Sequence, residues 1–315
     1  MHNKLMDLSI IVPLYNEEES VAPLYNAIVK SVDHLDLEYE ILFVDDGSKD
    51  QTVSEAKKLA DKDKCLRIIK FRRNYGQTPA MAAGIDHARG SLLVTMDGDL
   101  QNDPQDIPNL LVELDKGYDI VVGWRHNRQD KLITRKIPSR IANWLIGKIT
   151  GVPIKDNGCS LKAYKANVIQ KIPLYSEMHR FIPAMTSLAG TRVVEVKVNH
   201  HARIYGESKY GLSRIYKVLI DLLTIKSILT FFSRPLLIFA VGAGLFTIVG
   251  FTAFVAGIIN YSTAPSLVFF SVGLLYTTLA IVLLLWGLLG ELVYRTGDLK
   301  LEHFAQIKRK HGVSE

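Results

Sequence analysis

The segment Ser91–Pro104 reads SLLVTMDGDLQNDP: an apolar run, then two aspartates separated by a glycine, then an Asp-Pro pair. A short apolar run bounded by polar turn residues is typical of a strand buried in a parallel sheet. Two earlier segments follow the same plan, Leu8–Glu18 (LSIIVPLYNEE) and Tyr39–Ser48 (YEILFVDDGS). Each of the three segments therefore predicts a buried strand that ends at a polar, acidic cluster.

Segments with helical periodicity separate these strands. Helices are predicted over residues 17–34, 51–62, 78–88, 107–116 and 177–188, and further strands over 66–71, 118–122, 159–164 and 191–199. Strands that alternate with helices indicate an α/β fold whose mostly parallel sheet is covered by helices on both faces. Ligands bind beyond the carboxyl ends of the strands in such sheets, so we expect the acidic clusters to line one ligand-binding edge.

The C-terminal part of the chain differs in composition, since no Asp, Glu, Lys or Arg occurs from Pro235 to Leu289. The runs 235–259 and 267–290 are each long enough to span the roughly 30 Å hydrocarbon layer, which predicts a hairpin of two transmembrane helices. Lysines and arginines flank both outer ends. By the positive-inside rule, both termini and the N-terminal domain are then cytoplasmic, at a bacterial inner membrane.

The segment 212–232 lies between these two regions. Its polar residues recur every three or four positions on an otherwise apolar helix: Arg214, Lys217, Asp221, Thr224 and Ser227. Such a stripe predicts an amphipathic helix at the membrane interface, or else a helix buried against the next domain. The expected organisation is a cytoplasmic domain over 1–211, this helix, a transmembrane region over 233–292 and a basic tail over 293–315.

The formal net charge of +6 favours anionic partners, such as phospholipids and phosphorylated substrates. The sequence has no zinc-finger, recognition-helix or RNA-binding aromatic motif, so a nucleic-acid partner is not expected. Cys65 and Cys159 lack the spacing of metal ligands and are expected to be reduced thiols. No G-x-G-x-x-G follows the first predicted strand, which argues against a dinucleotide dehydrogenase.

The Asp97-Gly98-Asp99 turn indicates a metal-binding chemistry. Two carboxylates one residue apart, with Gln101 close behind, can place oxygen ligands around one hard cation such as Mg²⁺ or Mn²⁺. A cation at this point would offset the charge that builds on a leaving nucleoside diphosphate. A capped turn explains the same pattern when it stands alone, but its place after a buried strand favours the functional reading.

The other clusters suit a nucleoside and phosphates. Tyr15 could stack on a base, Glu17 could accept hydrogen bonds from a ribose, and a carboxylate at Asp45 or Asp46 could accept the imide N–H of uracil. These residue types also suit helix N-caps. An anionic donor and an anionic acceptor can meet only beside cations, and arginine binds phosphate through two N–H groups. The candidate cations are Arg125, Arg135, Arg140, Arg203 and Lys209.

These motifs together resemble family 2 glycosyltransferases with the GT-A fold, on the runs IIVPLYNEEES, ILFVDDGSKDQT and TMDGDLQNDP. The runs NYGQTPAMAAGID, VVGWR, DNGCSLKAY and YGESKYG are similar to the dolichyl-phosphate mannose synthase group, and the terminal hairpin is similar to that of bacterial bactoprenol glucosyltransferases. The Q-x-x-R-W motif of processive synthases is not found. The resemblance implies an inverting, metal-dependent, non-processive transfer of glucose from UDP-glucose to undecaprenyl phosphate, supplying cell-envelope glycan modification.

The resemblance also implies a role for individual residues. Nucleoside binding falls to Pro13, Tyr15, Glu17, Val44 and Asp46, and the diphosphate and its metal to Asp97, Gly98, Asp99 and Gln101. Arg125 and Lys209 match phosphate-binding residues, and Arg203 is a further donor-binding cation by its charge. Asp156 is expected to act as a base or as an orienting group, although the chain reads GCSLK over 158–162 where some relatives read G-F-R.

Several alternatives stay open at this point. The donor could instead be GDP-mannose or a UDP-amino sugar. A non-catalytic nucleotide-sugar-binding membrane protein is disfavoured because both carboxylates of the D-x-D motif are present. A transporter is disfavoured because two uncharged helices offer no polar pathway. The small-residue pairs Gly242/Gly244 and Gly250/Gly257 could join helices in a homo-oligomer, or could pack the hairpin on itself.

Overall fold

The computed structural model describes residues 6–126, 143–144, 146–148, 151–170, 172, 174, 180–187, 190–202, 235–262 and 266–296. The chain divides into two compact units, Met1–Leu222 and Leu223–Glu315. Several expectations lie outside the described residues. These are the amphipathic helix over 212–232, the basic tail after residue 296, and the cations Arg135, Arg140, Arg203 and Lys209.

The first unit is built on a seven-stranded sheet with the order β3-β2-β1-β4-β6-β5-β7. Neighbouring strands pair in parallel except at β6, which runs antiparallel to both β4 and β5. The predicted mostly parallel α/β sheet is therefore confirmed. The strands are β1 Leu8–Leu14, β2 Tyr39–Asp45, β3 Leu66–Lys70, β4 Leu92–Thr95, β5 Ile120–Arg125, β6 Lys162–Lys165 and β7 Val193–Val198.

Helices connect these strands and cover both faces of the sheet. On one face, Ile10 and Phe43 share an apolar cluster with Leu24 and Leu110. On the other, a Cβ at Gly84 would lie 2.3 Å from the side chain of Ile11, so only glycine lets that helix approach the sheet so closely. The helices are α1 Val21–Val32, α2 Thr52–Ala60, α3 Gln77–His87, α4 Ile107–Asp115, α5 Ala166–Ile169 and α6 Ile182–Ser187.

Several boundaries differ from those expected from the pattern: β6 begins at Lys162 rather than 159, α6 begins at Ile182 rather than 177, and the second apolar helix ends at Thr296 rather than 290. Two further differences have a visible cause. The helix predicted from Glu17 begins at Val21, because Asn16 takes a left-handed conformation (φ 51°) and the residues after it form a loop. The strand predicted over 118–122 runs instead from Ile120 to Arg125, because its pairing with β7 continues as far as Arg125 opposite Val198. The strand β5 therefore extends beyond residue 122, where the apolar pattern ends, and finishes at the charged residue Arg125.

The second unit contains two long helices, α7 Pro235–Ile259 and α8 Ser266–Thr296. Both are long and apolar enough to cross a membrane. Their large apolar side chains, such as Leu237, Ile248 and Leu285, are exposed, as expected of surfaces that face lipid. Gly250 lies against the backbone of Gly273, so this small-residue position packs the hairpin on itself.

Candidate active site at the carboxyl ends of the strands

The loops after β1 and β2 are joined by hydrogen bonds. The backbone N–H of Asn16 donates to Ser48 Oγ (2.9 Å), and Asn16 Oδ1 accepts from the N–H of Lys49 (2.9 Å). The N–H of Glu17 donates to Thr52 Oγ1 (2.8 Å). The first two polar clusters of the sequence are thus brought together at one edge of the sheet.

The expected nucleoside-binding residues lie at different depths along this edge. Tyr15 and Glu17 are partly exposed, and Glu17 Oε2 accepts from the Ser20 hydroxyl (3.1 Å). Pro13 is partly exposed and pairs with Val44 on the neighbouring strand. Val44 has no exposed surface, so its side chain supports the edge from within the core.

Asp46 is almost fully buried and binds a turn that leads into α3. Its Oδ1 accepts from the N–H of Tyr75 (2.7 Å) and its Oδ2 from the N–H of Gly76 (2.8 Å). Burial raises the pKa of this carboxyl above its ordinary value, although the two N–H groups act in the opposite direction. Asp46 therefore anchors a loop, in addition to any contact that it makes with a nucleotide.

The Asp97-Gly98-Asp99 turn follows β4 and lies against the end of β1. A Cβ at Gly98 would be 2.5 Å from Leu14 Cδ2 and 3.1 Å from the carbonyl oxygen of Pro13. Glycine therefore allows the two carboxylates to come close to the Pro13 end of the nucleoside edge. Asp99 is only 7% exposed, and its Oδ1 accepts from the N–H of Gln101 (3.2 Å).

The side chain of Asn102 stabilises this turn by hydrogen bonds. Its Oδ1 accepts from the N–H of Asp97 (3.2 Å) and from the Ser160 hydroxyl (2.8 Å), and the Asn102 side chain is buried. Asn102 could not be selected from the sequence, because an amide after an aspartate turn is typical of an ordinary loop residue. Its partner Ser160 lies 58 positions away in the chain, so no local signal reveals the contact.

The charges at the turn fit a divalent cation. Burial raises the pKa of Asp97, and the nearby negative charge of Asp99 raises it further. A cation between the two carboxylates would relieve this repulsion, and oxygen ligands are those that Mg²⁺ and Mn²⁺ prefer. Within the described part of the chain, no group of three or more His, Cys, Asp or Glu side chains is gathered for a metal. Mg²⁺ is usually bound by one or two protein carboxylates together with phosphate oxygens.

Arg125 and Asp156 are brought together although 31 positions separate them. Arg125 Nε donates to Asp156 Oδ2 (2.7 Å) and Nη2 to Oδ1 (2.8 Å). Burial would lower the pKa of Arg125, but the hydrogen bonds and charge of Asp156 outweigh it and raise this pKa above its usual value. A guanidinium has five N–H donors, and the contacts with Asp156 use two of them.

Lys162 is a second residue of the site that the sequence pattern did not indicate. It begins β6, is 2% exposed, and donates from Nζ to the carbonyl oxygen of Asn157 (3.3 Å). Burial lowers its pKa to about 8, while the charges of Asp156 and Asp97 act in the opposite direction. A lysine in a short run of mixed polar and apolar residues normally has a solvated side chain. The sequence therefore did not indicate that Lys162 would be buried beneath the site.

A comparison with protein families identifies the first unit. Residues 9–174 match the model of "Glycosyl transferase family 2". The chain is 44% identical over 303 residues to the dodecaprenyl-phosphate galacturonate synthase of Rhizobium johnstonii, covering 92% of this chain and 88% of that protein. It is 35% identical over 298 residues to the undecaprenyl-phosphate 4-deoxy-4-formamido-L-arabinose transferase of Proteus mirabilis, covering 93% and 90%.

Solved structures share the fold at low sequence identity. A crystal structure of glucosyl-3-phosphoglycerate synthase from Mycobacterium tuberculosis, in complex with Mn²⁺, UDP-glucose and phosphoglyceric acid, superposes with a TM-score of 0.56. It is 16% identical and covers 70% of this chain and 80% of that one. This likeness establishes the GT-A fold alone. The matched family model and the two relatives show that the chain belongs to glycosyl transferase family 2.

Proposed function

We propose that this protein transfers a sugar from a nucleotide donor to a polyprenyl phosphate. The observation that carries the proposal is the pair of neighbouring carboxylates of Asp97, which is partly exposed, and Asp99, which is 7% exposed, in a turn that packs against the Pro13 end of the expected nucleoside-binding edge. Both relatives named above are polyprenyl-phosphate sugar transferases, and both are covered over about nine-tenths of their length. The two apolar helices supply the membrane anchor that a lipid acceptor requires.

The donor sugar is proposed to be a uronic acid rather than glucose. The 44% identical relative is named for galacturonate and the 35% identical relatives for a modified arabinose, so neither name supports the UDP-glucose expected from the sequence motifs. A site that hydrogen-bonds a polar substituent rejects analogues that lack this substituent far more strongly than an apolar pocket rejects an extra methylene, and a carboxylate on the sugar needs such a polar partner. The sugar's charge is therefore the property that a donor panel should vary first.

The proposed reaction is a direct displacement with inversion. An oxygen of the acceptor phosphate attacks the anomeric carbon, a new C–O bond forms, and the bond to the nucleoside diphosphate breaks with its electron pair leaving on the diphosphate. A phosphate is already ionised at neutral pH, so strong general-base help is not required. A Mg²⁺ or Mn²⁺ ion at Asp97 and Asp99 would supply electrostatic stabilisation of the leaving diphosphate.

The chain's own residues then act by orientation and charge. Tyr15, Glu17 and Asp46 hold the nucleoside end, and Gly98 keeps that end close to the two carboxylates. Arg125, fixed by Asp156, presents its remaining N–H groups to a phosphate. Positioning of this kind is the main source of rate in a displacement between two anions.

The membrane arrangement is part of the same proposal. We place the first unit and both termini on the cytoplasmic side, and we propose that the segment 212–232 is an interfacial amphipathic helix. Arg203 and Lys209 are proposed to bind the donor and its diphosphate from the segment before that helix. A homo-oligomer is kept as an alternative. The small residue Gly250 already packs against the other helix of the hairpin, so its presence does not require a second copy of the chain.

A donor panel tests the proposed function. Purified full-length protein in detergent is incubated with undecaprenyl phosphate, Mg²⁺ and one nucleotide sugar at a time: a UDP-hexuronate, UDP-glucose, a UDP-amino sugar and GDP-mannose. We expect lipid-linked sugar from the uronate above all others. Product from UDP-glucose alone would restore the glucose assignment, and binding of a nucleotide sugar without product from any donor would favour the non-catalytic alternative.

A further inference from the structure

The side chain of Gln77 contacts one of the two carboxylates of the aspartate turn. Gln77 is the first residue of α3, and its Nε2 donates to Asp97 Oδ1 at 2.6 Å. The contact joins two elements that are 20 positions apart in the chain. Because an amide N–H fixes one carboxylate oxygen, it also fixes the direction in which the other oxygen points.

The turn before Gln77 is held in place by Asp46. Both oxygens of this buried carboxylate accept backbone N–H groups, from Tyr75 (2.7 Å) and from Gly76 (2.8 Å). Gly76 has a φ of 102°, a conformation that other residues rarely adopt, and it immediately precedes α3. Asp46 therefore sets the backbone position from which the Gln77 side chain starts.

Gly47 adds a second constraint on the same turn. A Cβ at this position would lie 2.4 Å from the backbone carbon of Arg73 and 2.7 Å from the nitrogen of Asn74. The loop after β2 is thus in direct backbone contact with the residues that lead to Tyr75. The turn is consequently fixed at two successive points before it delivers Gln77 to Asp97.

We propose that Gln77 is a positioning residue for the metal-binding carboxylate of Asp97, and that Asp46 holds Gln77 at its working position through the Tyr75–Gly76 turn. The proposal rests on the proposed metal role of Asp97 and Asp99. It gives Asp46 a task that does not require nucleotide, since the hydrogen bonds that anchor the turn are made by the protein alone.

The effect expected of Gln77 is that of an outer-shell partner. Groups that hydrogen-bond a metal ligand set its orientation, and replacing such a group typically lowers metal affinity by about 10-fold to 100-fold. Methionine has nearly the length of glutamine and no N–H donor, so Gln77→Met removes the hydrogen bond with little change of volume. Asp46→Asn keeps the shape of the carboxylate but replaces one acceptor oxygen with a donor that cannot accept a backbone N–H.

Gln170 provides a matched control at the other end of the same helix. Its Nε2 donates to the carbonyl oxygens of Ile85 (3.2 Å) and Ala88 (3.4 Å), near the C-terminal end of α3. Gln170→Met therefore removes a glutamine amide that binds α3 without touching the aspartate turn. A loss that arises only from loosening α3 should appear in both variants.

The test measures Mn²⁺ binding to the full-length protein, with Mn²⁺ alone and no nucleotide, by the decrease of the free-ion electron paramagnetic resonance signal. We expect Gln77→Met and Asp46→Asn each to weaken Mn²⁺ binding about 10-fold. Gln170→Met should bind as the wild-type protein does. A purely nucleoside-binding Asp46 would leave Mn²⁺ affinity unchanged in the absence of nucleotide, and this result would overturn the Asp46 part of the proposal.

Asp99→Asn separates failure of this inference from failure of the proposed metal site. If Asp99→Asn loses Mn²⁺ binding while Gln77→Met retains wild-type affinity, the positioning role of Gln77 is wrong and the metal site stands. If Asp99→Asn binds Mn²⁺ as tightly as the wild-type protein, the metal site itself is wrong and the inference falls with it. Equal losses in Gln77→Met and Gln170→Met would reduce Gln77 to a residue that merely stabilises α3.

Discussion

Arg125 and Asp156 form a two-point ion pair in which Nε lies 2.7 Å from Oδ2 and Nη2 lies 2.8 Å from Oδ1. The Asp156 side chain is 4% exposed and that of Arg125 is 14% exposed. The backbone N–H groups of Lys155 and Asp156 are in turn bound by Glu195 Oε1, at 2.7 and 3.3 Å. Since both oxygens of Asp156 bind Arg125, this geometry favours an orienting role for Asp156 over that of a base.

The pair should lose stability when only one partner is changed. Asp156→Asn leaves a largely buried guanidinium facing a neutral amide, and breaking a buried pair in this way costs about 3–5 kcal/mol. The double variant Arg125→Met/Asp156→Leu should recover a large part of that loss, because no buried charge is left unpaired. Thermal unfolding of the detergent-solubilised protein provides the measurement. Additive losses in the double variant would show that the two side chains are not coupled.

Lys162 should give the protein an unusual dependence on alkaline pH. Its pKa falls from 10.5 in the unfolded chain to about 8 in the folded protein, chiefly through burial. The unfolded chain then binds more protons between those two values, so stability should rise with pH across that window, by roughly 3 kcal/mol in total. Below about pH 8, Lys162 is charged in the folded protein as well, and the free energy of unfolding is reduced by the full cost of burying this charge.

The measurement compares unfolding of the wild-type protein and Lys162→Met at pH 7.5 and at higher pH. Among the described residues, Cys159, Arg180, Asp156 and Asp97 are the groups whose charges act on Lys162, and they are the same in both proteins. The difference between the two proteins should therefore isolate Lys162. If the free energy of unfolding changes with pH by the same amount in the wild-type protein and in Lys162→Met, Lys162 does not titrate in this range.

Glu40 should stabilise the fold without contributing to the active site. It is 1% exposed, lies near the start of β2, and accepts from Ser9 Oγ (2.7 Å), Arg67 Nη1 (2.5 Å) and the N–H of Arg89 (2.7 Å). Glu40→Ala removes the buried acceptor that these three groups share, although Arg67 Nη1 keeps a hydrogen bond to the carbonyl oxygen of His87 (3.3 Å), and should cost about 3 kcal/mol. Because the carboxyl end of the strand lies at the opposite edge, the KM for the nucleotide sugar should not change in the protein that remains folded. A raised KM would connect Glu40 to the site.

The sequence predicted the ligand-binding edge because each acidic cluster directly follows an apolar run. In a parallel sheet such runs end at the same edge, so Glu17, Asp46 and Asp97 could be placed there from local patterns alone. The reversal of β6 could not be predicted in the same way. Its direction depends on pairing with β4 and β5, and a four-residue strand carries no signal of the partner beside it.

The supporting residues of the site were missed for a related reason. Asn102, Lys162 and Gln77 act through partners that are distant in the chain, and each has a polar side chain that normally predicts exposure. Asn102 and Lys162 are buried where β6 lies between β4 and β5, whereas Gln77 at the start of α3 is partly exposed. Sequence patterns therefore revealed groups that meet a ligand at strand ends, whereas groups that support them became visible only with the tertiary contacts.

The most direct test of the proposed metal-assisted transfer compares the wild-type protein with Asp99→Asn. Lipid-linked sugar is measured with undecaprenyl phosphate, Mg²⁺ and whichever nucleotide sugar gives the most product with the wild-type protein. We expect wild-type product to require both the lipid phosphate and the metal. Asp99→Asn should lower the rate by about 100-fold or more, because several kcal/mol of leaving-group stabilisation is lost. An Asp99→Asn protein that retains full metal-dependent turnover would contradict the account.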